Sequence, residues 1–192
     1  MNDITNLSIP ERLPAIEKET KDSGFSMASD YRTGSLLRTL VTTKRKGRIL
    51  ELGTGTGLST CWLLDGMDEE SRLTTVDNDS HFVEIAKRWL SEDSRVEFYV
   101  QDGSEFLRSQ KGTKYDLIFA DTWPGKYWDL DLALDLLGTG GVYVIDDMLP
   151  QENWPEDHLP KVDGLIEDLE SRRGFQVTKM NWSTGIIIVT KA

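Results

Sequence analysis

Apolar runs alternate with helix-like stretches along the chain from residue 48 onward. Short runs rich in Val, Ile, Leu and Phe predict strands at residues 48–53, 72–78, 96–102, 115–121, 140–147, 175–180 and 184–191. Apolar positions at helical spacing predict helices at residues 57–67, 80–90, 104–109, 126–137 and 158–173. This alternation predicts an α/β fold: a doubly wound, mostly parallel seven-stranded sheet with a terminal antiparallel strand pair and helices on both faces.

The first 45 residues do not follow this rhythm, and their pattern predicts two helices, near residues 10–20 and 30–43, beside the sheet. We expect one domain over residues 1–192, with a helical segment at 1–45 and an α/β core at 46–192. The glycines of residues 138–141 are expected to end the helix predicted at 126–137.

The composition is that of a globular protein, with 38% hydrophobic and 29% charged residues. The net charge of -11 argues against a nucleic-acid partner, because phosphates would be repelled. The acidic excess is concentrated in residues 121–170, which hold 13 acidic and 2 basic residues. The one cysteine, Cys61, excludes an internal disulfide and a cysteine-rich zinc site. Since the chain has a polar N-terminus and lacks a membrane-length apolar run, we expect a cytoplasmic protein without a membrane partner.

The end of the first predicted strand carries a glycine-rich loop, Glu51-x-Gly53-x-Gly55-x-Gly57. Glycines at this spacing let the backbone turn sharply and approach a ligand closely. The dinucleotide-binding pattern has spacings of two and then three residues, so the 2–2 spacing here fits a nicotinamide cofactor poorly. A tight turn between strand and helix, without a ligand, is the alternative.

Acidic residues also end the second and third predicted strands. Asp77, followed by Asn78, can accept hydrogen bonds from both hydroxyls of a ribose, a device that NAD-binding proteins share. Asp102, followed by Gly103, lies at the next strand end. Asp77 and Asp102 can equally cap the helices that follow them.

The glycine loop with its acid resembles motif I of the class I S-adenosylmethionine-dependent methyltransferases, which have a Rossmann-like fold. In that family the acid and the loop hold the amino-acid end of the cofactor, and an acid at the third strand end faces the adenine. Residues 115–149, together with Met27 and Gly34, resemble the cation-dependent O-methyltransferases of the catechol and caffeoyl-CoA type. The resemblance implies S-adenosyl-L-methionine as cofactor, held by Met27, Glu51, Gly53, Thr54, Gly55, Gly57, Ser59, Asp77, Asn78, Asp102, Gly103 and Asp121.

The same resemblance implies a divalent cation, Mg²⁺ or another, bound by Asp121, Asp146 and Asp147. Carboxylate oxygens suit hard cations of this kind, and such a cation would orient the acceptor oxygen and lower its pKa. Protonation of the carboxylates, or a cationic acceptor, would also relieve their mutual repulsion.

The chain departs from the family pattern at two positions. Asp147 stands where the family usually has Asn, and Pro124 stands where it has the lysine thought to act as general base. Lys126, two residues further on, is the replacement candidate, so the predicted catalytic residues are Asp121 and Lys126.

Aromatic residues cluster in the loops near this predicted site. Trp123, Tyr127 and Trp154 are predicted to form the walls of a substrate pocket, where a planar acceptor could stack. His81 and His158 have no partner pattern and are predicted at the surface.

The leading prediction is therefore a small-molecule methyltransferase, with O-methylation of a hydroxylated aromatic assisted by a divalent cation. The alternatives are a metal-independent methyltransferase acting on an amine or another acceptor, and a catalytically silent cofactor-binding partner subunit. The resemblance also implies a homodimer formed through the N-terminal helices.

Overall fold

The structure, a computed structural model, is built on a single seven-stranded sheet and describes residue 3, residues 5–151, residue 154 and residues 158–192. The strands are β1 Arg48–Leu52, β2 Arg72–Asp77, β3 Val96–Val100, β4 Tyr115–Ala120, β5 Leu137–Ile145, β6 Phe175–Met180 and β7 Ile186–Lys191. The helices are α1 Leu13–Ser23, α2 Tyr31–Thr42, α3 Leu58–Gly66, α4 Ser80–Leu90, α5 Gly103–Ser109, α6 Leu130–Leu136 and α7 His158–Ser171.

The strand order is β3-β2-β1-β4-β5-β7-β6, and β1 to β5 pair in parallel. Strand β7 runs antiparallel to both β5 and β6, which confirms the predicted antiparallel pair at the end of the sheet. The chain builds outward from β1 to β3 and then returns to place β4 on the other side of β1. A crevice therefore opens beyond the carboxyl ends of β1 and β4, where sheets of this type bind ligands.

Alternate residues of the strands pack into two separate cores, because successive side chains of a β-strand point to opposite faces of the sheet. In β4, Leu117 and Phe119 belong to the core beneath α1 to α4. Ile118 and Ala120 belong to the core beneath α5 to α7. The prediction of helices on both faces of the sheet is therefore confirmed. It rests on the apolar runs, which are typical of strands buried on both faces.

The predicted helix over residues 126–137 is too long, because α6 begins only at Leu130. Residues 124–128 instead form a tight loop in which the Gly125 N–H donates to the Trp128 carbonyl at 2.7 Å. The glycines at 138–141 do not end this helix: β5 already begins at Leu137 and pairs with β4 through a register irregularity.

Two N-terminal helices pack beside the sheet, as predicted, with shifted bounds for α1. Proline in its first turn lets α1 begin at Leu13, and Gly24 ends it in the left-handed conformation. The Asp30 side chain caps α2 by accepting from the N–H groups of Arg32 and Thr33, each at 2.9 Å. Across the described ranges of the chain, no helix combines the length and the apolar character that crossing a membrane demands.

Candidate functional site

A cavity of about 510 Å³ lies beyond the carboxyl ends of β1, β2, β4 and β5. Its walls come from the glycine loop after β1, the ends of β2, β4 and β5, and residues 25–29, which we call the strap. The strap joins α1 to α2 across the glycine loop. Volumes of this size are ordinary for small-molecule and cofactor sites.

The glycine loop forms one end of this cavity. Gly53 has a φ of +104°, and a Cβ atom there would lie 2.8 Å from the carbonyl oxygen of Asp121. Only glycine therefore allows β1 and β4 to approach this closely at the mouth of the crevice. Gly53, Thr54, Gly55 and Ser59 line the cavity. Gly57 is not among the lining residues; it precedes α3 and packs against Ala86 of α4.

Glu51 lies behind the glycine loop, fully buried and outside the cavity lining. Its Oε2 accepts from the Thr60 hydroxyl at 2.5 Å and the Thr75 hydroxyl at 2.6 Å, whereas its Oε1 has no hydrogen-bond partner among the described residues. Burial raises the pKa of Glu51 to about 7, although the nearby Ser59 hydroxyl and the hydrogen bonds from Thr60 and Thr75 lower it. A buried acceptor without a hydrogen-bond donor among the described residues is uncommon, and here it lies directly behind the glycine loop.

The carboxylate of Asp77 holds the glycine loop at the end of β2. Its Oδ2 accepts from the Gly55 N–H at 2.8 Å, and its Oδ1 accepts from the Asp79 N–H at 3.0 Å. Asp77 and Asn78 line the cavity, and each carboxylate oxygen has a second lone pair left for a ligand.

Asp102 and Gly103 lie outside the cavity lining. Asp102 is exposed and caps α5, since its Oδ1 accepts from the Glu105 N–H at 3.0 Å. Gly103 approaches the ring of Pro124. The structure thus places the third strand end beside the cavity and gives Asp102 a capping contact.

The strap covers the glycine loop from the N-terminal side. Phe25 lies against Gly55 and pairs with Phe82 of α4, with 4.6 Å between ring centroids. Met27 lines the cavity but is 66% exposed. The Ser29 hydroxyl donates to Asp121 Oδ2 at 3.0 Å, so the strap is tied to the end of β4.

Three carboxylates, Asp121, Asp146 and Asp147, meet at the other end of the cavity. Burial and repulsion from Asp146 and Asp147 raise the pKa of Asp121 well above its usual value. Burial and the nearby Asp147 raise the pKa of Asp146 to about 6. Asp146 Oδ1 accepts from the Thr184 hydroxyl at 2.5 Å and from the Asp147 N–H at 2.8 Å.

Lys126 lies among these carboxylates and is only 4% exposed. Burial lowers the pKa of its ammonium, and attraction to Asp121, Asp147 and Asp146 opposes that effect. The structure therefore brings the two predicted catalytic residues, Asp121 and Lys126, to the same end of one cavity.

The predicted divalent cation remains a prediction. Within the described parts of the chain, no three His, Cys, Asp or Glu side chains are arranged in a group that could hold a metal ion. Asp121, Asp146 and Asp147 interact electrostatically without forming such a group.

Aromatic side chains wall the cavity above the carboxylates. Trp123 and Trp154 line the cavity, and Trp154 stacks on His158 at 3.9 Å between ring centroids. Tyr127 lies behind this wall, with its hydroxyl 2.8 Å from His158 Nε2. The prediction of a surface position is wrong for His158, which is buried because Trp123, Tyr127 and Trp154 surround it. His81 is exposed, as predicted.

Known proteins resemble this chain in sequence and in fold. A family model described as "Methyltransferase domain" matches residues 50–148. The chain belongs to this methyltransferase family. A protein named "Putative O-methyltransferase" from Mycobacterium avium is 34% identical over 117 residues, which cover 58% of this chain and 53% of that protein. A relative of the same name from Mycolicibacterium smegmatis is 30% identical over 140 residues, covering 70% and 67%.

The chain spans about half the length of the first of these relatives, since the match covers 53% of the Mycobacterium avium protein. Among solved structures, the O-methyltransferase TomG from Streptomyces achromogenes in complex with SAM has a TM-score of 0.85 at 23% identity. That likeness covers 98% of this chain and 92% of TomG, and it shows a shared Rossmann-like methyltransferase fold.

Several site residues of this methyltransferase-family chain carry no signal in the sequence. Ser29 and Thr184 reach Asp121 and Asp146 across 92 and 38 residues, so only the tertiary fold joins them. Phe25 lies two residues before Met27, and an apolar residue in a polar segment was the only available indication. His158 begins α7 and was recognisable only through its distance to Tyr127.

Proposed function

We propose that this chain is an S-adenosylmethionine-dependent O-methyltransferase that acts on a small hydroxylated aromatic compound. One observation carries the proposal: a single cavity joins the glycine loop and Asp77 at one end to Asp121, Lys126 and the tryptophan wall at the other. The first end suits a nucleoside cofactor and the second suits a planar acceptor with a hydroxyl group. Family membership and the SAM complex of the structural neighbour TomG support the choice of cofactor.

The chemistry of the lining suits S-adenosylmethionine better than a nucleotide. The cofactor carries a sulfonium and an ammonium but no phosphate. Of the described residues that line the cavity, Lys126 is the only lysine or arginine, and it lies at the carboxylate end rather than at the glycine loop. Glu51 offers an unpaired buried oxygen near the loop, and Asp77 has lone pairs left for ribose hydroxyls.

When bound, S-adenosylmethionine supplies an electrophilic methyl group. The acceptor hydroxyl gives its proton to the Asp121 carboxylate, and the raised pKa of that group suits it to the task. The glycine loop and Asp77 would hold this cofactor, which would supply the methyl group to the acceptor oxygen and leave as a neutral thioether. Lys126 holds the oxygen of the acceptor, and Trp123 and Trp154 orient the aromatic ring of the acceptor so that this oxygen lies in line with the methyl group.

Methyl transfer from labelled S-adenosylmethionine to a panel of catechols, phenols and benzylamines tests this proposal. We expect methylation of at least one catechol or phenol, with kcat lowered about 100-fold or more by Asp121→Asn. Asp163→Asn, which neutralises an exposed acid on α7, is the matched control and should leave the rate unchanged.

Two outcomes would contradict the proposal. Methylation of amines alone would favour the amine alternative, which the carboxylate-rich end of the cavity also suits. Cofactor binding without transfer to any acceptor would favour a silent partner subunit.

A further inference from the structure

The carboxylate end of the cavity contains its own positive charge. Lys126 is buried and interacts electrostatically with Asp121, Asp146 and Asp147. A lysine is almost never fully buried unless its charge is compensated, and here attraction to the three carboxylates offsets part of the cost of burial.

The loop after β4 fixes the position of this ammonium. Gly125 has a φ of +82°, and a Cβ atom there would lie 2.6 Å from Leu52 Cδ1 and 3.0 Å from the Tyr143 hydroxyl. The buried Tyr143 hydroxyl donates to the Gly125 carbonyl at 2.5 Å. The Lys126 N–H donates to the Trp123 carbonyl at 3.1 Å, which closes the turn. These contacts hold the backbone of the loop against Leu52 and Tyr143, and the Lys126 side chain is buried in the cavity.

One oxygen of Asp121 and one oxygen of Asp146 each accept a hydrogen bond from a hydroxyl group, so part of their capacity to bind a cation is already used. Ser29 donates to Asp121 and Thr184 donates to Asp146. A divalent cation with protein ligands needs several oxygen atoms directed at one point, and the described residues offer no group of three acidic, histidine or cysteine side chains so arranged. The ammonium of Lys126 would also repel a metal ion placed among the same carboxylates.

We propose that Lys126 takes the place of a divalent cation in this site, and that methyl transfer by this chain does not need a metal. The ammonium holds the acceptor oxygen beside Asp121 and stabilises the negative charge that develops as the proton leaves. This inference rests on the proposed function for the identity of the reaction, but its claim about metal binding can be measured without turnover.

Calorimetric titration with Mg²⁺ and with Ca²⁺, in the presence of S-adenosylhomocysteine, measures metal binding directly. We expect no binding to the unaltered chain. Lys126→Met removes the ammonium that repels a metal ion, so this variant should show weak Ca²⁺ binding that the unaltered chain lacks. The binding should be weak because the three carboxylates of the described chain are not arranged as a metal site. Lys126→Arg keeps the positive charge, so in this titration it should bind no Ca²⁺, like the unaltered chain.

Activity provides an independent measurement with catechol as acceptor. EDTA should change the rate of the unaltered chain less than about twofold, and Lys126→Met should lower kcat about 100-fold, as the loss of a charge-stabilising donor does in other enzymes. The affinity of Lys126→Met for S-adenosylhomocysteine should stay within about threefold of that of the unaltered chain. A lower kcat with unchanged cofactor affinity separates a role at the acceptor from a loss of folding. Partial recovery in Lys126→Arg would support the role of the charge.

Stoichiometric binding of Mg²⁺ or Ca²⁺ to the unaltered chain would overturn the inference, as would loss of activity in EDTA that Mg²⁺ restores. Both measurements use the unaltered chain, so they decide the question even if Lys126→Met fails to fold. Failure of the proposed function has a different signature: no acceptor would be methylated, whatever the outcome of the metal titration.

Discussion

At the scale of a single residue, Glu51 is a buried carboxyl group whose charged form is unfavourable. It is buried behind the glycine loop with one oxygen unpaired, and burial raises its pKa to about 7. The folded protein therefore keeps this proton to higher pH than the unfolded chain does. The stability that this linkage contributes is fully present below the unfolded pKa and is lost as the pH rises through 7.

Replacement of Glu51 by Gln should remove that pH dependence. From the shift in pKa, the unaltered chain should lose about 3 kcal/mol of unfolding free energy through this group between about pH 4.5 and pH 7.5. The Glu51→Gln variant should lack this loss and so gain relative stability at high pH. Urea unfolding at several pH values, without cofactor, measures the difference, and Glu69→Gln on the exposed surface is the control. Parallel pH profiles for the Glu51 variant and the unaltered chain would contradict the buried, protonated Glu51.

His158 acts at the same scale on the acceptor side. It accepts or donates a hydrogen bond with Tyr127 behind the aromatic wall and stacks on Trp154 in that wall, so it fixes the position of Trp154 in the predicted acceptor pocket. His158→Ala should raise KM for a phenolic acceptor about tenfold, because the aromatic wall loses its support. The affinity for S-adenosylhomocysteine should not change, since the glycine loop lies at the other end of the cavity. His81→Ala, at an exposed position, is the control, and an equal effect of the two substitutions would refute this role.

At the scale of secondary-structure elements, the loop from β4 to α6 decides where Lys126 lies. Gly125→Ala would place a Cβ atom against Leu52 and Tyr143 at a backbone conformation that favours glycine. We expect kcat to fall about tenfold or more, since small misplacements of a catalytic group are costly. Gly164→Ala on α7 has open space around its Cβ position and should keep full activity. Rates for the two variants, measured beside cofactor affinity, check this prediction, and full activity of Gly125→Ala would contradict it.

The elements that were predictable from sequence and the elements that were not differ for a physical reason. Strands buried on both faces must be apolar, so β1 to β5 and the acids at their ends could be located by pattern alone. The loop at 124–128 could not, because its Lys126, Tyr127 and Trp128 continue the helical pattern of α6 while tertiary packing around Gly125 overrides it. Predicting His158 at the surface failed similarly, since its partners lie 31 residues away and 4 residues away on other segments.

At the scale of the whole molecule, the net charge of -11 bears on which ligands the cavity prefers. S-adenosylmethionine carries a sulfonium that its demethylated product lacks, so the negative field should favour the cofactor over the product. Raising NaCl from about 20 mM to about 500 mM should weaken cofactor binding about threefold and product binding much less, because salt screens long-range attraction. Equilibrium dialysis of both ligands measures this, and equal weakening of the two would contradict the prediction.

The proposed function depends most directly on the identity of the cofactor. Calorimetric titration of the unaltered chain with S-adenosylhomocysteine and with NADH tests it in one pair of measurements. We predict one S-adenosylhomocysteine per chain and no binding of NADH. The affinity for S-adenosylhomocysteine should weaken about tenfold or more in Asp77→Ala but not in Asp163→Ala. Binding of NADH without binding of S-adenosylhomocysteine would contradict it.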